Sequence, residues 1–120
     1  MWDGDNGEPA VTHGHTLTTK IPVRMVLQAI AQYAFLASPY PVVLSVEVHC
    51  ELDQQDKLAT ILHDTLGDRL VSKRIDEMEA DQELEKLPSP HDLRGKFLLK
   101  VRFLPSRCAC EFPLNCDLPF

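Results

Sequence analysis

Val42-Val43-Leu44-Ser45-Val46 is short, β-branched and almost continuously apolar. A strand of that composition is normally covered on both faces, the condition of a parallel sheet packed beneath helices. On either side of it the apolar residues change period. From Pro22 to about Ala37, Val23, Val26, Leu27, Ile30 and Ala34 fall at helical spacing, with Arg24 and Gln28 off the stripe. Thr18 or Thr19 is positioned to cap this helix, and Pro22 suits its first turn. Ser38-Pro39-Tyr40-Pro41 ends it, because a residue preceding proline is pushed out of the α region. A second helix is predicted from about Leu52 to Leu66, with Leu58, Ile61, Leu62 and Leu66 on one stripe and Gly67 as its stop.

Further out, Pro9-Ala10-Val11-Thr12 reads as a short strand broken by His13-Gly14-His15. Lys96 to Leu104 reads as another strand, preceded by the punctuation Leu87-Pro88-Ser89-Pro90 and a short turn of helix over Pro90–Gly95. Residues 72–87 are acidic and weakly periodic, as in a solvated loop or an exposed helix. Strand, helix, strand, helix, loop, strand is the order of an α/β fold with a parallel sheet. Residues 105–120 carry three prolines, three cysteines and no periodicity. The expected organisation is therefore one unit over residues 1–104 and an unrelated, irregular tail over residues 105–120.

The 120 residues are 44% hydrophobic and 25% charged, which excludes wholesale disorder. The net charge is −6 and no basic run is present, so non-specific nucleic-acid binding is a poor fit. A locally basic site for a small phosphate ligand stays open. No apolar run approaches the roughly 20 residues that span a bilayer. Met1-Trp2-Asp3-Gly4-Asp5 lacks the basic start and apolar stretch of a secretory signal, so a soluble intracellular protein is the expectation. A disulfide framework is not expected in that compartment. Cys108, Cys110 and Cys116 crowd the tail, but Cys108-Ala109-Cys110 is not a CxxC pair and no second pair or histidine follows it.

In parallel α/β sheets, ligands collect at the carboxyl ends of the strands. His13 follows the first strand, and Glu47 and His49 follow the apolar run ending at Val46. Lys100 and Arg102 lie two apart on the last strand, so the period of two puts both cations on one face. Each has a plainer explanation. His13 can be a turn residue, Glu47 a helix-start carboxylate favoured by the helix dipole, and the two cations solvated residues of an edge strand. Together they make a set: a carboxylate is a ligand for calcium, an imidazole transfers protons near neutral pH, and two cations neutralise phosphate. Metal-assisted attack on a phosphodiester needs all three.

Several longer motifs carry a resemblance. Trp2-Asp3-Gly4, Gly7-Glu8-Pro9, Thr12-His13-Gly14-His15-Thr16-Leu17-Thr18-Thr19-Lys20-Ile21, Ala34-Phe35, Ser38 to Ser45, Glu47-Val48-His49-Cys50, Leu87-Pro88-Ser89-Pro90, Asp92 to Lys96 and Leu98-Leu99-Lys100 occur in that order. From Trp2 to about Leu104 the chain resembles the X region of the catalytic domain of eukaryotic phosphoinositide-specific phospholipase C. The resemblance implies a partial TIM-like (β/α) barrel, X half only. It also implies calcium-dependent cleavage of phosphatidylinositol bisphosphate to diacylglycerol and inositol trisphosphate in lipid signalling. It implies that His13 is a catalytic imidazole, that Glu47 binds calcium, and that Lys100 and Arg102 hold the inositol phosphates, Arg102 standing where the family has a lysine. The partner implied is an inositol phospholipid headgroup at a membrane surface, reached from the cytoplasm.

The resemblance also implies that a first histidine with its neighbouring asparagine, and a Glu-Leu-Asp segment with further calcium ligands, precede Met1 in the family. The Y half would follow, and Val48 stands where an asparagine is usual. Calcium takes six to eight oxygens, so Glu47 alone is expected not to hold it. The isolated chain is expected to be inactive. The alternatives are a non-catalytic module that binds an inositol phosphate or a partner chain completing the barrel, and a small zinc protein built on the cysteine tail.

Overall fold

The computed structural model describes residues 1–13, 17–72 and 88–103. The elements are β1 (Ala10–Val11), β2 (Ile21–Pro22), α1 (Val23–Tyr33), β3 (Val42–Val48), α2 (Leu52–Leu66), a 3-10 turn at Gly67–Arg69, and β4 (Phe97–Phe103). The fold is α/β, and β3 and β4 pair in parallel from Val42↔Phe97 to Val48↔Phe103. The acidic stretch beyond Ser72, Gly14 to Thr16, Leu104 and the cysteine tail lie outside the described residues.

The first strand does not join the parallel sheet. β1 pairs antiparallel with β2, because residues 12–20 are too short a connection for a parallel crossover, which needs about a dozen residues or more. The same hairpin removes the expected threonine cap. Ile21 and Pro22 stay extended while they pair, so α1 starts only at Val23, with Pro22 at the N-cap position and no side-chain cap. The Val23 N–H is satisfied instead by the Pro9 carbonyl at 3.0 Å, while the Thr18 hydroxyl sits 3.1 Å from that of Thr12. The helix ends at Tyr33, short of Ala37, and continues as turns to Leu36. The expected helical turn over Pro90–Gly95 is a run of hydrogen-bonded turns. Ser89 closes its start: its N–H and hydroxyl both donate to Asp92 Oδ2, at 3.0 and 2.6 Å, which holds the Asp92 carboxyl below its ordinary range.

Met1 and Trp2 join the two sheets. Trp2 bridges Ala10 antiparallel. The Met1 amine donates to the Glu47 carbonyl at 2.6 Å, and the Met1 carbonyl accepts from His49 N–H at 2.8 Å. The lateral order is thus β2, β1, Met1–Trp2, β3, β4. Beyond β4, Leu70 bridges Phe97 and Val71 N–H donates to the Phe97 carbonyl at 3.0 Å.

α1 and α2 cover one face of the β3–β4 pair. Val23 and Leu27 from α1, Leu58, Ile61, Leu62 and Leu66 from α2, and Val46, Val48 and Phe97 from the strands form the core. Phe97 is fully buried, its ring 4.9 Å from that of Phe35. The Arg69 guanidinium lies over both rings, at 5.3 and 5.9 Å, and donates to the Ala31 carbonyl, tying the end of α2 to α1. The expectation that β3 is covered on both faces fails. Val43 is 57% exposed and Ser45 and Glu47 are exposed too, because both helices pack on the opposite side. Among the described residues no helix is long and apolar enough to cross a membrane.

Candidate functional site

The parallel register sets Ser45 beside Lys100 and Glu47 beside Arg102. Residues opposed in a parallel ladder project to the same side, roughly 4.8 Å apart. The exposed face therefore carries Val43, Ser45 and Glu47 next to Leu98, Lys100 and Arg102, while Val46, Val48 and Phe97 point into the core. Glu47 lies inside β3, four residues before the Glu51 cap of α2, so it is not the helix-start carboxylate that its sequence context allowed.

The Glu47 carboxylate is flanked on both oxygens. Arg102 Nη1 lies 3.7 Å from Oε1, and His49 Nε2 lies 3.7 Å from Oε2. The side chains of Glu47 and Arg102 are 62% and 79% exposed. A pair this open contributes about 1 kcal/mol at most, so its effect is orientation rather than stability. His49 is the fixed member. Its side chain is 19% exposed, and its ring stacks on Trp2 with centroids 4.3 Å apart and planes 4° from parallel.

His13 is exposed and follows the end of β1, which is separated from β3 in the lateral order by Met1–Trp2. What ties this flank to the sheet was not legible as a motif. Gly4 N–H donates to Gln54 Oε1 at 3.1 Å, and Gln54 Nε2 donates back to the Gly4 carbonyl at 3.5 Å. Lys57 donates to the Gly7 carbonyl at 2.7 Å, and Asp3 accepts from Glu51 N–H at 3.0 Å. Gln55 donates to the Cys50 carbonyl at 2.8 Å. Gln54 and Gln55 are buried at helical spacing from Leu58 and Ile61. Two amides on an apolar stripe were the signal that could have found this clamp.

Cys50 is 1% exposed, and burial, with the charge of Asp3 adding, pushes its thiol up to about 11. The raised value favours the folded state below the ordinary thiol pKa, and that contribution is lost as pH rises toward about 11. Ionisation alone then slows iodoacetamide labelling of Cys50 at pH 8 by about 100-fold relative to the chain in denaturant. Mass spectrometry of the Cys50 peptide measures this; equal rates in the two states would refute the burial.

Calcium requires six to eight oxygen ligands. Among the described residues no three or more His, Cys, Asp or Glu side chains gather where they could hold a metal ion. The Glu47 oxygens face an imidazole and a guanidinium. The described residues by themselves therefore do not fit a calcium ion. The cysteine tail and its zinc alternative lie outside them.

A family model described as phosphatidylinositol-specific phospholipase C, X domain, matches residues 1–103. Over 103 residues the chain is 50% identical to 1-phosphatidylinositol 4,5-bisphosphate phosphodiesterase delta-3-A of Danio rerio, covering 86% of this chain and 13% of that protein. It is 51% identical to the delta-4 phosphodiesterase of Bos taurus over 87% of this chain and 13% of that protein. Among solved structures, PLC21 of S. officinalis superposes with a TM-score of 0.72 at 44% identity, over 82% of this chain and 12% of that one. The chain thus spans about an eighth of the length of these relatives.

Proposed function

Because the chain belongs to the phosphatidylinositol-specific phospholipase C X-domain family, we propose that its exposed β3–β4 face is the phosphate-holding flank of a phosphoinositide phosphodiesterase site. The observation that carries this reading is the register: Glu47 beside Arg102, with Lys100 one pleat back on the same face. Lys100 presents a compact positive charge and Arg102 a planar fork of donors, a pair suited to a polyphosphorylated inositol ring. In this reading the face is the inner wall of a partial (β/α) barrel, with α1 and α2 outside it. The one-sided helical cover of β3 supports that geometry. A barrel needs eight strands, so the rest of the wall would come from other chain, in the same protein or in a partner.

His13, on the β1 flank, is the proposed proton-transferring imidazole, which would assist attack of an inositol hydroxyl on phosphorus. Calcium is the family's Lewis acid, and oxygen donors beyond Glu47 would have to come from outside the described residues. The proposed setting is the cytoplasmic face of a membrane that carries the lipid. Residues 1–104 form the proposed X-region unit, with residues 105–120 outside it.

The chain alone is expected to bind without turnover, since Glu47 is the sole carboxylate of this face among the described residues. Calorimetric titration with inositol trisphosphate should give saturable binding that disappears in the Lys100→Ala, Arg102→Ala double variant. A flat wild-type titration, or binding that survives both substitutions, contradicts the reading. Calcium-dependent release of inositol phosphate by the purified chain would overturn the expected inactivity.

A further inference from the structure

The geometry points to His49 as a positioning residue that sets the direction of the Arg102 guanidinium through Glu47. The inference rests on the reading of this face as a phosphate-holding flank and deepens it.

A carboxylate as open as that of Glu47 is free to rotate unless its neighbours bias it. Two do, one on each oxygen. Arg102 is a long side chain, 79% exposed, and cannot fix anything by itself. His49 can. Its backbone N–H is held by the Met1 carbonyl at 2.8 Å, its ring lies flat on Trp2, and its Nε2 is 3.7 Å from Glu47 Oε2. Trp2 is in turn held by paired backbone bonds to Ala10, at 2.9 and 2.8 Å. Order therefore passes from the hairpin to Trp2, to His49, to Glu47, and across the strand pair to Arg102. A guanidinium has five N–H donors. With one edge turned to Glu47, the others face outward in a defined plane, where a phosphate can meet them as a fork. His49 does not touch the phosphate in this arrangement. It acts through the carboxylate.

Two substitutions separate this role from a structural one. His49→Phe keeps an aromatic ring for Trp2 to stack on but has no nitrogen to face Glu47. His49→Gln returns a nitrogen donor at comparable reach without the ring. At one fixed pH, His49→Phe should weaken inositol trisphosphate binding about threefold, the scale of one exposed polar contact, with the urea unfolding midpoint unchanged. His49→Gln, which has the donor but not the stacked ring that fixes it, should restore only part of it. Adding His49→Phe to Glu47→Gln should cost nothing beyond Glu47→Gln alone. Unchanged affinity in His49→Phe, or additive losses in the double variant, would overturn the role.

A ligand-free measurement keeps this independent of the binding reading. In the full chain, the Arg102 Nε–Hε resonance should move in the same direction in His49→Phe and Glu47→Gln, and return toward its wild-type position in His49→Gln. A resonance that ignores both His49 variants refutes the positioning role even if the chain binds the ligand. A resonance that responds, in a chain that binds no inositol phosphate, sustains the coupling and refutes the phosphate-holding reading alone.

Discussion

Phe97→Ala is expected to destabilise the chain by about 3–5 kcal/mol, the range for removing a large aromatic side chain from a core. The residue is fully buried and opens β4. Its ring meets Phe35 at 4.9 Å and lies beneath the Arg69 guanidinium at 5.3 Å. Its backbone is bound on both sides, to β3 and to Val71. A cavity there loosens α1, the end of α2 and the base of β4 together. Small domains hold only about 5–15 kcal/mol in total, so a large share of the stability would go. Urea unfolding followed by the single tryptophan, Trp2, measures the change. Val43→Ala is the control, because Val43 is 57% exposed and should cost less than about 1 kcal/mol. Equal costs at the two positions would mean that the helices do not cover the face assigned to them.

Gly4→Ala is the second large effect, and its cause is backbone contact rather than burial. A Cβ on residue 4 would stand 1.9 Å from the Glu8 carbonyl oxygen and 3.1 Å from its carbon. Neither atom belongs to a flexible side chain, so the loop from Gly4 to Glu8 has to open. Opening it breaks the turn bond from Gly7 N–H to the Gly4 carbonyl and pulls Gly4 away from Gln54. Gln54, 7% exposed, is then left with unmade hydrogen bonds, which costs about 1–3 kcal/mol on its own. The total should reach about 3 kcal/mol, and the Trp2–His49 stack should loosen because Trp2 leads directly into the same loop. Gly67→Ala is the comparison. That glycine has open space around it but a φ of 53° and a ψ of −139°, a region left almost entirely to glycine, so backbone strain of about 1–3 kcal/mol is expected without any steric clash. Thermal unfolding measures both variants; a cost below about 1 kcal/mol for Gly4→Ala would contradict the close approach.

The parts of the fold that could be read in the sequence are those whose causes are local. α2 runs from Leu52 to Leu66 as expected, because its apolar stripe and the glycine that ends it lie within one short segment. β4 was legible from the alternation of Leu99, Val101 and Phe103 with Lys100 and Arg102. The coarse α/β class followed from the order of these elements. The errors came from long range. Val42 to Val46 looks the same whether its second face is covered by this chain or left open, so the run could not reveal that Val43 and Ser45 are exposed. The β1–β2 hairpin was missed because each strand has two residues, and their pairing is decided by the connection between them. The threonine cap failed for the same reason.

At the site, the period of two already put Lys100 and Arg102 on one face. That Glu47 faces them depends on a register between strands some fifty residues apart, which no local pattern encodes. The Trp2–His49 stack and the Gly4–Gln54 clamp are contacts of the same range. The roles given to His13, Glu47, Lys100 and Arg102 came from the family resemblance, and the strand register puts the last three on one face.

The most direct test of the β3–β4 face is a nuclear magnetic resonance titration of the full chain with inositol trisphosphate, following backbone and side-chain signals. The expected result is saturable shifts concentrated on Ser45, Glu47, Lys100 and Arg102, with His49 moving less and the core side of β3 still. Shifts confined to surface cations elsewhere, such as Lys20, Arg24 and Lys57, or no shifts at all, would contradict the account.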